Sequence, residues 1–242
     1  MIYIQSKIEN NIFIPHHFDA ACAMYGAIDS ALDFKLISID EIRENNNISN
    51  LIKTGLFVGS VEFMREIFST IGIDDVRVPI NSNRKSEIIT LGDAKKRASL
   101  GEKIFIKPIK IKEFTGFVLD QMSYSCLNGV SESTNVLAYQ PFSSPIESEW
   151  RIYVHNNKIV DSRNYSGDFL ISPDYNYASI VINQNKNSFP CAYTIDVGVL
   201  ESGENVVVEF NDFWAIGNYG IPNDIYIRML RERYFEILKT RK

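Results

Sequence analysis

The chain has 242 residues, 45% of them hydrophobic and 12% aromatic, enough to bury a substantial core in one large domain or in two smaller ones sharing a cleft. Its 25 Lys and Arg against 30 Asp and Glu leave a net charge of −5, which excludes the overall basic field that draws proteins to nucleic acid or anionic membranes. No stretch approaches the roughly 18 apolar residues of a membrane helix, and M-I-Y-I-Q-S-K-I-E-N-N has no basic region followed by an apolar run. Cys22, Cys126 and Cys191 are far apart, without C-x-x-C or metal-ligand spacing, and read as reduced thiols of a cytoplasmic protein.

Residues 1–80 read as a small α/β layer. M-I-Y-I-Q and F-K-L-I-S-I are strands, D-A-A-C-A-M-Y-G-A-I-D-S-A-L is rich in small helix formers, and V-E-F-M-R-E-I-F-S-T-I-G is a helix with Ser60 as N-cap and Gly72 as its stop. His16 and His17 are adjacent, point apart and lack a partner at ligand spacing, so they are structural. Residues 81–100 read as a polar connection and a short basic helix.

I-F-I-K-P is an apolar strand carrying Lys107, and a lysine inside such a strand is costly unless its ammonium reaches an anion. Thr115-Gly116 in F-T-G-F-V makes a small turn whose backbone N–H groups suit a phosphate, or a plain hairpin turn; G-x-x-x-x-G-K-[ST] is absent. N-V-L-A-Y-Q-P-F is a strand ending at Pro141. E-W-R-I-Y-V-H-N-N-K-I-V-D-S-R is a hairpin closed at His155-Asn156-Asn157, with Arg151 and Arg163 on its two strands. Two guanidiniums there suit phosphate or carboxylate; the alternative is a pair of solvated surface arginines.

I-D-V-G-V-L and V-V-V-E-F-N flank a Glu-Ser-Gly-Glu-Asn turn and form a second hairpin. Glu209 and Asn211 share one face of their strand, and pairing brings Asp196 beside them. Two carboxylates and an amide oxygen suit Mg²⁺; the other reading is an edge strand with a solvated face. D-F-W-A-I-G-N-Y-G-I is aromatic and glycine-rich, and its Trp214, Asn218 and Tyr219 either line a pocket or pack beneath a loop. The last helix, with apolar Ile225, Ile227, Leu230, Tyr234 and Leu238, is a docking helix whose basic end is a solvated face, not a nucleic-acid site.

The order of these pieces resembles the ATP-grasp superfamily of carboxylate–amine ligases over about residues 100–220. More closely it resembles the clade of small stand-alone members marked by two arginines and a lysine, many of them from phages or bacteria. The resemblance implies an α+β ATP-grasp fold, two subdomains gripping ATP, preceded by a small α/β domain. Residues 1–80 are then the pre-ATP-grasp domain and 81–242 the ATP-grasp domain, with 81–138 its first lobe and 139–242 its second.

By the same resemblance Lys107 contacts the ATP α/β phosphates and Thr115-Gly116 belongs to the phosphate-covering loop. Tyr139, Gln140 and Phe142 lie at the hinge that meets adenine, and Glu147 or Glu149 holds the ribose hydroxyls. Arg151 corresponds to the arginine of the family's D-x-R-x-x-V stretch, Arg163 to the one that faces the γ-phosphate and the acyl phosphate, and Asp196, Glu209 and Asn211 to the Mg²⁺ ligands. Three features depart from the family pattern: Thr194-Ile195 precede Asp196 where an arginine is common, the glycine-rich loop is reduced, and the earlier lysine is one of Lys85, Lys95 and Lys96.

The activity implied is an ATP- and Mg²⁺-dependent ligase: a small-molecule or peptide carboxylate becomes an acyl phosphate, and an amine displaces phosphate. Such chemistry asks for positioning and charge rather than a protein nucleophile, consistent with a chain that shows no nucleophile–base pair. A catalytically weak ATP-binding module and a phosphotransferase are the alternatives. The reaction sits in the cytoplasm, the host's if the gene is a phage's.

Overall fold

The computed structural model describes residues 1–74, 76, 86–109 and 114–239, apart from the side chains of Tyr124 and Cys126. The chain divides into two compact units, Met1–Asn81 with Ile146–Val199 and Gly203–Lys242, and Ser82–Pro145 with Leu200–Ser202.

The first unit opens with β1 (Ile2–Glu9), β2 (Ile12–Pro15), α1 (Phe18–Asp29), β3 (Phe34–Ile37), α2 (Ile39–Arg43), α3 (Ile48–Thr54), β4 (Leu56–Val58) and α4 (Val61–Thr70). β1 pairs in parallel with β3 and β4 and antiparallel with β2, the α/β layer expected of interleaved strands and helices. Ser60 caps α4, accepting from the Phe63 N–H at 3.2 Å, and Gly72 follows the helix end at Ile71. His17 caps α1, its Nδ1 accepting from the Ala20 N–H at 3.2 Å, so this histidine is structural; burial lowers its pKa.

Within the second unit are β5 (Ser86–Thr90), α5 (Leu91–Ser99), β6 (Ile104–Pro108), β7 (Phe117–Leu119), a 3₁₀ turn at Tyr124–Leu127 and β8 (Asn135–Tyr139). The strands run β5-β8-β6-β7, and Leu91, Ala94, Ala98, Ile104, Ile106, Leu119, Val136 and Ala138 form their core. The expected basic helix is α5. The stretch before it, read as a polar connection, holds β5 at the sheet edge, where a strand with one paired side buries little and loses its apolar signature. Residues 81–85, including Lys85, lie outside the described residues.

The first unit resumes with β9 (Ile146–His155), β10 (Lys158–Gly167), α6 (Tyr175–Asn185), β11 (Ala192–Leu200), β12 (Asn205–Asp212) and α7 (Asn223–Lys239), its four strands ordered β10-β9-β11-β12. The hairpin turn falls at Asn156 and Asn157, whose φ of 49° and 60° are the paired positive values a two-residue turn needs and asparagine tolerates. One face of this sheet, with Ile152, Val154, Ile195, Val197 and Val207, packs on Ala178, Val181 and Ile182 of α6. Sequence reading placed no helix there, because α6 is polar between short apolar contacts.

Tyr226, Ile227, Met229, Leu230, Tyr234 and Ile237 of α7 join the core of residues 1–80, so the last helix docks as expected and ties the chain's two ends into one unit. The unit borders fall at 81/82 and 145/146. α7 also carries a buried brace that its apolar pattern hid: Arg233 donates to both Asp212 oxygens at 2.7 and 2.6 Å and to Glu236 at 2.9 Å.

Cys22 and Cys191 are free thiols. Burial, then the hydrogen bond to Glu236, pushes the Cys191 thiol up to about 12, and burial raises Cys22 as well. Thiolate is the reactive form, so both should resist iodoacetamide at pH 8 in the native protein and label fully once it is denatured, as peptide mass spectrometry would report. Rapid native labelling of Cys191 would contradict its burial against Glu236. No described helix is long and apolar enough to cross a membrane.

Candidate active site

The second face of the β10-β9-β11-β12 sheet is polar, and alternation along the strands explains which residues reach it. Ile152 and Val154 of β9 turn to the α6 core, so Glu149 and Arg151 turn the other way. Arg163 stands opposite Arg151, Asp196 opposite Glu209, and Thr194 opposite Asn211. Directly opposed residues project on the same side, so four strands deliver Glu149, Arg151, Arg163, Asp196, Glu209 and Asn211 to one face.

At its centre Arg151 donates to Asp196 through Nε at 2.8 Å and Nη2 at 2.6 Å, a two-pronged pair with side chains only 8% and 1% exposed. Burial pushes the Asp196 carboxyl up, to about 6, against the pull of Arg151; Glu209 and Glu149 add to the rise. Burial also opposes the charge on Arg151, but the Asp196 hydrogen bonds outweigh it and hold the guanidinium firmly ionised. Thr194, fully buried, keeps its hydroxyl without a hydrogen-bond partner among the described residues. Arg151 supplies the positive charge beside Asp196 that the residue before it does not.

Asn211 Nδ2 lies 3.3 Å from Asp196 Oδ2 and 3.2 Å from Glu209 Oε1. An amide NH₂ between two carboxylates marks a spot that favours positive charge, and turning that amide presents its oxygen instead. With the amide turned, two carboxylates and an amide oxygen are a donor set that fits Mg²⁺. Among the described residues no group of three His, Cys, Asp or Glu is placed to hold a metal ion.

Arg163 differs from Arg151. It donates to Asp161 at 2.8 Å, its side chain is 38% exposed, and its Nε is buried without a hydrogen-bond partner among the described residues. That buried donor leaves hydrogen-bonding capacity unused. Of the two ribose candidates, Glu149 accepts from the Tyr165 hydroxyl at 2.5 Å, while Glu147 is exposed. Burial and the nearby carboxylates keep the Tyr165 phenol protonated.

Tyr165 was missed in the sequence, because a bulge between Asn164 and Ser166 turns it toward Arg151 and bulges leave no periodic signal. Among the aromatic loop residues, Trp214 donates to the Val76 carbonyl and meets Phe68 edge-on, and Asn218 is 1% exposed; both pack, while Tyr219 stays half exposed beside Arg151.

In the second unit, Lys107 lies on β6 with its Nζ 5.6 Å from the Tyr139 ring centre. Gly116 presses against the same strand: a Cβ there would stand 3.1 Å from Lys107 Cβ and 3.2 Å from the Ile106 carbonyl. Thr115 is exposed, as is Gln140, and Phe142 is half-buried. Lys95 stands 3.9 Å from Glu132.

A family model for an ATP-grasp domain, family 2 of the clade marked by two arginines and a lysine, matches residues 82–229, more than half of the chain. The fold is also similar to solved structures, among them the following three. D-alanine–D-alanine ligase from Bacillus anthracis, complexed with ATP, is 11% identical over 100% of this chain and 98% of that one, with a TM-score of 0.53. The ATP-grasp ligase PsnB complexed with minimal precursor is 10% identical over 96% and 98%, with a TM-score of 0.53. A RimK domain ATP-grasp protein from Sphaerobacter thermophilus is 11% identical over 97% and 98%, with a TM-score of 0.54. No curated protein matches in sequence. Identities this low establish likeness of fold.

Proposed function

The chain belongs to the ATP-grasp superfamily, in family 2 of its two-arginine, one-lysine clade, and from that membership we propose that it is an ATP- and Mg²⁺-dependent carboxylate–amine ligase. The observation that carries this reading is the sheet face that sets Asn211 between Asp196 and Glu209, with Arg151 locked on Asp196 and Arg163 directly opposite Arg151 on the next strand.

In this reading a carboxylate oxygen attacks the γ-phosphorus of ATP, the bond to the bridging oxygen breaks, and ADP leaves. An amine nitrogen then attacks the acyl carbon, phosphate departs, and the nitrogen loses a proton. Asp196, Glu209 and Asn211 would hold Mg²⁺, which would offset phosphate charge. Lys107 contacts the α/β phosphates, with Thr115-Gly116 as the covering backbone. Arg163 donates to the oxygens on which charge grows, and Arg151 adds a fixed positive charge. Tyr139, Gln140 and Phe142 take the adenine, and Glu149 or Glu147 the ribose.

The substrates in this reading are a small-molecule or peptide carboxylate and an amine. The need for ATP supports a cytoplasmic reaction. A nucleotide-binding module without turnover is the second reading, favoured by one observation: both Asp196 oxygens are already engaged by Arg151.

Calorimetry of ATP binding with and without Mg²⁺, on the wild type, Lys107→Ala and Glu209→Ala, tests the assignment. The wild type should bind with metal dependence, Lys107→Ala should bind at least about tenfold more weakly, and Glu209→Ala should lose the metal dependence. Variants that bind like the wild type would show the site to be elsewhere. ADP release that requires an amine separates ligase from phosphotransferase, and binding without any turnover selects the module.

A further inference from the structure

Arg151 is held from two directions. Asp196 takes its Nε and Nη2 edge, and the rings of Tyr165 and Tyr219 lie 5.5 and 4.8 Å from its Cζ. The two rings are 5.8 Å from each other, too close to cover opposite faces of the guanidinium, so they form an aromatic corner beside it. Tyr165 is placed by its bulge and by its bond to Glu149. Tyr219 comes from a loop, and the loop is built around it.

Its φ is 48°, a left-handed conformation that a bulky residue adopts only where its surroundings impose it. Those surroundings are specific. The buried Asn218 donates its backbone N–H to Asp19 at 2.8 Å, its carbonyl accepts from the Tyr153 hydroxyl at 2.7 Å, and its side-chain oxygen accepts from the Gly220 N–H at 2.7 Å. A Cβ at Gly217 would stand 2.7 Å from Tyr219 Cε2, so a side chain there would displace the ring. Packing does not explain the ring, because Tyr219 is 50% exposed and lies outside the core. A strained backbone that projects a half-exposed ring onto a buried guanidinium is spent on that contact.

We propose that Tyr219 is a positioning residue: its ring keeps Arg151 turned onto Asp196, and thereby keeps the Asp196 carboxylate presented to Glu209 and Asn211 for a divalent cation. This rests on the reading of that trio as the cation site. Asp196 Oδ2 is shared, with Arg151 Nη2 at 2.6 Å and Asn211 Nδ2 at 3.3 Å, so a guanidinium that swings away takes the carboxylate's orientation with it. Attraction between a desolvated guanidinium and an aromatic face is of the size that sets such an orientation.

ADP binding measured by calorimetry, once with Mg²⁺ and once with EDTA, tests this on the wild type, Tyr219→Asn and Tyr219→Phe. Asparagine keeps the left-handed backbone and removes the ring; phenylalanine keeps the ring. The Mg²⁺-dependent gain in affinity should fall roughly tenfold in Tyr219→Asn, with affinity in EDTA unchanged, and should survive in Tyr219→Phe. An unchanged gain in Tyr219→Asn overturns the proposal. Equal losses in EDTA and Mg²⁺ overturn it too, since the ring would then touch nucleotide, as does a Tyr219→Phe variant as impaired as Tyr219→Asn. Should Tyr219→Asn not fold, Tyr219→Gly, which also accommodates the left-handed backbone and removes the ring, carries the same expected loss. A wild type that binds no ADP under either condition removes the cation-site reading and this one with it.

Discussion

Arg151→Met should destabilise the first unit by about 3–5 kcal/mol in urea denaturation at pH 7.5, because it strands Asp196 as a buried carboxylate without its partner. The cost comes from the charge left behind rather than from the lost contact, so Arg151→Met with Asp196→Asn should be more stable than Arg151→Met alone. The pH dependence follows with a definite sign. Burial already holds the Asp196 carboxyl above its ordinary value, and losing Arg151 raises it further. A carboxyl whose pKa is higher in the folded than in the unfolded chain favours folding as pH falls, so the deficit of the single variant should narrow between pH 8 and pH 5. A single variant that loses less than about 1 kcal/mol would mean that the ion pair is not what binds β9 to β11.

The second arginine of the face should behave in the opposite way. Arg163→Met is expected to leave stability within about 1 kcal/mol of wild type, since its pair with Asp161 is partly solvated, with side chains 38% and 17% exposed. Its effect should appear in chemistry: conversion of Mg²⁺–ATP to ADP should drop by about 10²–10³-fold, the loss seen when one preorganised donor to developing charge is removed. Thermal melting and ADP release on one preparation decide the matter. Intact turnover would place the transferring phosphate away from Arg163; a collapsed melting point would make Arg163 structural and remove the contrast with Arg151. The two residues face each other across one hairpin, so their different fates rest on burial and on the partner each one meets.

Much of this was legible along the chain. Alternation in V-V-V-E-F-N put Glu209 and Asn211 on one side, and the turn before it brought Asp196 opposite, because strand side chains repeat every two residues and a short turn limits register. The Asn156-Asn157 turn, the Ser60 cap and the docking of α7 were likewise local signals read correctly. What failed were signals that are weak by nature: β5 at an edge, α6 with little apolar periodicity, and Tyr165 at a bulge.

The sequence by itself determined which hard donors and cations this protein owns, which strands carry them, and the order that marks the family, since all of these depend on neighbours a few residues apart. Only the tertiary structure decided how they are used. Arg151 meets Asp196 across 45 residues of chain, Tyr219 reaches Arg151 through a loop anchored on Asp19, and Trp214 and Asn218 turn to packing. Those choices depend on burial and on which strands become neighbours. Both arise when residues distant in sequence are removed from water together, and no local pattern records them.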